Sequence, residues 1–257
     1  MRADRQQTAS DIHPTPSILG IGHNAHMSNA WRHLLISLWI LVPPPAFGGE
    51  STCFGTPAHG RLEGGVTLPR SGANFSAYGT IPVVAGRTHM HEAVRDAVSG
   101  AYGLLETMAP GVHFVYGESG WAHGGPFKPH KTHQNGLSVD LMVPVRDETG
   151  ASVPLPTHAF NRYGYDIEFD GHGRTDDLRI DFDALGTLIL ALDQAARARG
   201  ITVQRVIFAP DLQAQLYRSR HGKQVRQRVA IPTQRSWVRH DEHIHVDFAV
   251  PCKPLSQ

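Results

Sequence analysis

The chain has 257 residues, and its 24 Lys plus Arg against 23 Asp plus Glu leave no bulk charge to draw it to nucleic acid or acidic lipid. A hydrophobic fraction of 40% is enough for one sizeable core, a simpler reading than two small domains. The 17 histidines exceed what packing needs, and histidine binds metals and moves protons, so function is to be sought in local clusters of that residue.

In chain order, residues 1–26 form a polar extension ahead of a second methionine, Met27, which is the expected start. Residues 34–42, LLISLWILV, follow Arg32; they are too short to span a bilayer but fit the apolar segment of a secretory signal. Ala46, Phe47 and Gly48 offer a small-x-small cleavage site, so 27–49 is read as a signal peptide and 50–257 as the exported domain. A buried helix or an uncleaved anchor is the other reading of 34–42. Residues 51–80, rich in Gly, Pro and Asn, read as an irregular arm. Thr88 is the expected N-cap of a helix whose apolar positions Val94, Ala97, Val98, Ala101, Leu104, Leu105 and Met108 recur at helical spacing, ending at Pro110 and Gly111. A strand over 112–116 and a loop over 117–135, rich in Gly and His, come next; loops of this kind carry sites.

Residues 136–145 alternate, with Leu137, Val139, Leu141 and Val143 on one face and Ser138, Asp140 and Met142 on the other, which predicts a strand with Asp140 at a wet position. A polar insertion covers 146–179. A second helix over 183–199 carries Leu185, Leu188, Ile189, Leu192 and Ala196 on one stripe and ends at Gly200. Strands follow at 201–209 and 243–250; in the last, Ile244, Val246 and Phe248 point inward, opposite His243, His245 and Asp247. Intermixed strands and helices predict a single α+β domain, with helices packed on a central, mainly antiparallel sheet that carries the site. The two cysteines, Cys53 and Cys252, bracket the exported domain. As a disulfide they would remove roughly 4 to 5 kcal/mol of unfolded-chain entropy; two unpaired thiols is the alternative.

Catalytic zinc takes three protein ligands, typically imidazole and carboxylate, and keeps a fourth position open. One segment supplies His130, His133 and Asp140, and another supplies His240, His243 and His245. Residues two apart on a strand share a face, so His243 and His245 project to the same side. If the strand bearing Asp140 lies antiparallel beside theirs, the polar faces meet over one cleft. An H-x-H pair alone is more often a half-exposed pair, and a lone strand Asp usually has a structural partner. Polar residues clustered on two otherwise apolar strands need a reason, because buried charge is costly unless paired or metal-bound.

The segments HGGPFKPHKTHQNGLSVD, at 123–140, and HDEHIHVDF, at 240–248, resemble the penicillin-insensitive murein endopeptidases. These belong to a wider zinc-peptidase superfamily with lysostaphin-type enzymes, D-alanyl-D-alanine carboxypeptidases and hedgehog relatives. The opening CFGTPAHGRLEGGVTLPRSGANFSAY is similar to the family's N-terminal arm, whereas 146–239 matches loosely. Ser138 stands where the family often has an acidic residue, and Thr132 where it often has Ser. The resemblance implies His133, Asp140 and His245 as zinc ligands and His243 as general base, with His240 supporting or sharing that role. His130 is implied as a residue behind the ligands, an added ligand or a substrate contact. It also implies a periplasmic Zn2+ hydrolase cutting the D-alanyl to meso-diaminopimelyl cross-links of peptidoglycan stem peptides, with no nucleic-acid partner and no stable membrane insertion of the mature domain. A D-alanyl-D-alanine carboxypeptidase and a non-catalytic zinc-bearing wall-binding protein are the alternatives; the retained His243 and His240 argue against the second. Glu118 and His123 read as loop surface. Asp247 either orients a histidine or is solvated, and Tyr163, Tyr165 and Phe169 line the cleft or cover core. His89, His91, His113, His158, His172 and His221 read as ordinary.

Overall fold

The computed structural model describes residues 50–255. The expected polar extension at 1–26 and the expected signal peptide at 27–49 lie outside the described residues. Where an irregular arm is expected, the chain forms a hairpin of β1 (Thr52–Thr56) and β2 (His59–Glu63), then β3 (Val66–Thr67) and β4 (Phe75–Ala77). The turn-forming residues that mask this segment in the sequence make its connections, and the strands between them are too short to show a period. The hairpin is tied down from both directions. Leu62 N–H donates to His123 O at 3.0 Å, and Lys253 exchanges backbone hydrogen bonds of 2.9 Å with Gly55 and Cys53. Cys53 and Cys252 are joined as a disulfide, so the bridged alternative holds.

After a short α1 (Thr80–Val84), β5 (His89–Met90) pairs with β3 and delays the first long helix, α2 (Glu92–Met108). The N-cap is therefore His91 rather than Thr88: its Nδ1 accepts from Ala93 N–H at 3.2 Å. Thr88 is buried, in a bridge with Gly120. Then come β6 (Phe114–Tyr116), the His-rich loop and β7 (Ser138–Met142). The insertion is not irregular throughout, because β8 (Val145–Asp147), β9 (Ser152–Val153) and β10 (Leu178–Ile180) make a small antiparallel sheet. Asp181 caps α3 (Phe182–Ala198), accepting from Ala184 N–H, and Gly200 leaves the helix at φ 71°, the left-handed turn that glycine tolerates best. The chain closes with β11 (Thr202–Ile207), α4 (Gln213–Arg218), α5 (Gly222–Arg228) and β12 (His243–Ala249).

The fold is α+β, as expected. Its main sheet runs β11-β12-β7-β6-β4, antiparallel except for the parallel pair of β4 with β6. Val139, Leu141, Ile244, Val246 and Phe248 form an apolar face within the same core as the buried stripes of α2 and α3. The opposite face is covered too, so β7 is buried along its whole length and Asp140, expected at a wet position, is fully sealed. No helix of the described residues is long and apolar enough to cross a membrane.

Candidate metal centre

Asp140 sits opposite His245 in the antiparallel ladder of β7 with β12, so the adjacency that would join the two polar faces is present. Four imidazoles face its carboxylate. His245 Nδ1 lies 3.0 Å and His133 Nε2 3.2 Å from Oδ1, while His243 Nε2 and His130 Nδ1 lie 3.7 Å and 3.8 Å from Oδ2. His240 packs against the His243 ring at 4.8 Å. The ligand atoms of His130, His133 and Asp140 all lie within 4.8 Å of one another, a grouping able to hold a metal ion.

The other nitrogen of each ring is anchored. His245 Nε2 meets Asp247 Oδ1 at 2.9 Å, His130 Nε2 meets Glu118 Oε2 at 2.6 Å, and His243 Nδ1 meets Glu242 Oε1 at 2.8 Å. His133 Nδ1 and His240 Nδ1 lie 3.1 Å and 3.0 Å from the carbonyls of Ser119 and Val238. A carbonyl only accepts, so these two nitrogens carry the hydrogens, and a neutral His133 turns a bare Nε2 lone pair toward Asp140. That nitrogen is buried, and despite its 3.2 Å approach to Oδ1 it lacks the alignment of a hydrogen bond. A buried lone pair facing a carboxylate fits a cation between them. Around an ion with bonds of about 2.0–2.1 Å, tetrahedral ligand atoms sit about 3.3 Å apart; the 3.0 Å and 3.2 Å separations at Oδ1 are close to that edge. Two edges of the expected set thus suit a metal of zinc's size, while the grouping whose ligand atoms all converge pairs His133 and Asp140 with His130 rather than His245.

The electrostatics agree. Burial alone would raise the Asp140 pKa, but the charge of neighbouring imidazoles such as His243 and the bond from His245 hold the carboxyl well below its ordinary range. Burial would lower His245, yet its bonds to Asp140 and Asp247 push it up to about 9. Burial pushes His240 down to about 4, helped by the neighbouring His243. Without an ion the cluster keeps protons on selected imidazoles, and a metal would displace them.

The centre opens into a cleft of about 580 Å3 whose walls include His130, His243, Glu118, Glu242, Tyr163, Tyr165 and Trp237. Tyr163 and Tyr165 thus line the cleft while Phe169 is core. Glu118, read as loop surface, is buried instead. It is held by Arg87, by Tyr78 Oη at 3.0 Å and by His130, because the loop folds back over the sheet. Burial would raise its pKa, but the bonds from His130 and Arg87 bring it to about 2. His123 is exposed, as read. Asp247 orients a histidine: it is buried and accepts from Ser138 Oγ at 2.6 Å as well as from His245. Of the histidines set aside, His91 caps α2 and His113 bonds Ser76 Oγ. The sequence reading missed Glu242 as the partner of His243, although it is the preceding residue. Among the described residues, the non-glycine positions with positive φ are His133 (67°), Arg162 (48°), Tyr163 (58°) and His240 (58°), all in the centre or its cleft.

A search among curated proteins gave no match. The sequence profile of the penicillin-insensitive murein endopeptidases matches residues 53–255, from the first cysteine through both histidine segments and past the second cysteine. The chain belongs to the penicillin-insensitive murein endopeptidase family.

Proposed function

We propose that this murein peptidase is a zinc enzyme that hydrolyses the D-alanyl to meso-diaminopimelyl cross-links of peptidoglycan. His133, Asp140 and His245 hold the ion in this reading. The observation that carries it is the meeting of His133 Nε2 and His245 Nδ1 at one oxygen of Asp140, each ring fixed through its other nitrogen. Zinc bound there supplies Lewis acidity that polarises a peptide carbonyl and acidifies water. His243 acts as general base: Glu242 fixes its Nδ1, leaving Nε2 turned to the Asp140 side of the cleft to take a proton from the attacking water and return it to the leaving amine. His240, packed on His243, restricts that ring, and Glu118 holds His130 at the cleft wall, where it meets substrate. We further propose that 27–49 directs export, that 50–257 is the mature domain and that it works in the periplasm; a disulfide accords with an oxidising compartment.

The test is mass spectrometry of cross-linked muropeptide dimers incubated with the purified mature domain, with and without chelator. Conversion to monomers that stops on chelation and returns with zinc is the expected result. Intact dimers that have lost a terminal D-alanine would replace this reading with a carboxypeptidase, and unchanged dimers with a wall-binding protein.

A further inference from the structure

Tyr165 comes from the loosely matched insertion, yet its hydroxyl lies at the heart of the site. It donates to Asp140 Oδ2 at 3.0 Å and accepts from Glu118 N–H at 3.1 Å. A phenol has one hydrogen to give. Because the backbone N–H points at its oxygen, that hydrogen is directed to Oδ2. The carboxylate therefore has two unlike oxygens: Oδ2 capped by a neutral donor, and Oδ1 facing His133 Nε2 and His245 Nδ1.

The surroundings are built to hold this arrangement. The Tyr165 ring packs edge-on against His243 at 4.9 Å and Tyr78 at 6.1 Å. The preceding turn is stitched by Asn161 Oδ1, which accepts from His158 and Gly164 N–H at 3.0 Å each. On the other side the backbone makes room, since a Cβ on Gly117 would lie 2.7 Å from Tyr165 Oη. Gly117 N–H in turn donates to Asp140 O at 2.8 Å, so the strand that carries the ligand and the glycine that admits the phenol are one unit.

We propose that Tyr165 is a positioning residue for the metal. Its hydroxyl occupies Oδ2 of Asp140 and thereby restricts that carboxylate to one-oxygen ligation through Oδ1, the oxygen that faces His133 and His245. The inference rests on the metal-peptidase reading above. It differs from that reading in predicting how the carboxylate binds as well as which residues bind.

The experiment compares wild type with Tyr165→Phe by zinc titration against a competing chelator and by the visible spectrum of the Co2+-substituted proteins. Wild type is expected to bind one zinc. Tyr165→Phe should bind it about 10- to 100-fold more weakly, the usual loss when a partner behind a ligand is removed. Its Co2+ bands should weaken as the freed second oxygen raises the coordination number. Wild-type affinity together with a wild-type spectrum in Tyr165→Phe would overturn the inference and leave the zinc reading standing, whereas no zinc on wild type would remove the zinc reading itself. X-ray absorption at the zinc edge of loaded wild type gives an answer independent of the variant's folding. A single carboxylate oxygen at bonding distance, beside the solvent oxygen, supports the inference, and both carboxylate oxygens at that distance overturn it.

Discussion

Replacing Asp247 by Ala tests whether the carboxylate behind His245 holds the centre in place. Three donors converge on it: Ser138 Oγ at 2.6 Å and His245 Nε2 at 2.9 Å on Oδ1, and Arg205 Nε at 2.6 Å on Oδ2. The Arg205 side chain is 43% exposed, so water replaces its lost partner and that bond is discounted. Ser138 and His245 are 0% and 2% exposed and have no such recourse. Two stranded donors at about 1–3 kcal/mol each give a loss of roughly 2–6 kcal/mol. At about 2–4 °C per kcal/mol for a domain of this size, a mid-range loss lowers Tm by roughly 8–16 °C. With one side of the His245 ring unheld, zinc affinity should fall about 10- to 100-fold. Ser138→Ala removes one donor and keeps the carboxylate, so it should cost about 1 kcal/mol and leave affinity near wild type. The assays are thermal unfolding of the metal-free proteins and zinc titration. An Asp247→Ala protein that melts within about 2 °C of wild type and binds zinc equally well would refute the reasoning.

Other expectations follow from the same geometry. His133→Ala and His245→Ala should lose bound zinc and activity together, whereas His243→Ala should keep the metal and lose turnover by about 100-fold or more; metal analysis beside the muropeptide assay separates them, and normal hydrolysis by His243→Ala would remove it from the mechanism. Zinc present at about 1,000 times its Kd should add about 4 kcal/mol, so chelation should lower Tm by roughly 8–16 °C in a scan with the disulfide intact. Replacing both Cys53 and Cys252 by Ser opens a loop closed across 199 residues, a loss of about 5 kcal/mol in the chain-entropy model. Guanidinium unfolding measures it, and a change under about 1 kcal/mol would mean that the ends stay paired without the bond.

The long elements were legible because each buries one stripe of a regular period. The apolar rows of α2 and α3 and the alternation in β7 and β12 survive with boundaries shifted by a few residues at most. The start of α2 was misread because Thr88 is a good cap in isolation, while the pairing of β5 with β3 takes the residues that would follow it. The β1 and β2 hairpin is local but its strands are too short to show a period, and β4 pairs with β6 far along the chain, which a local pattern does not encode. The same distinction governs the site. Its histidines and Asp140 stand in two short segments, so spacing brought them together on paper. Glu118 and Tyr165 come from stretches without period, and nothing local tells that one is buried against Arg87 or that the other reaches Asp140.

The four left-handed non-glycine residues have an evolutionary consequence. Such backbone strain costs about 1–3 kcal/mol per residue, and glycine or asparagine would relieve part of it. The gain would come at His133 and His240, whose side chains belong to the centre, and at the two cleft residues Arg162 and Tyr163. A lineage selected for thermal endurance without selection for wall cleavage should therefore change first at the floor and rim of the cleft, while the hydrophobic core stays as it is.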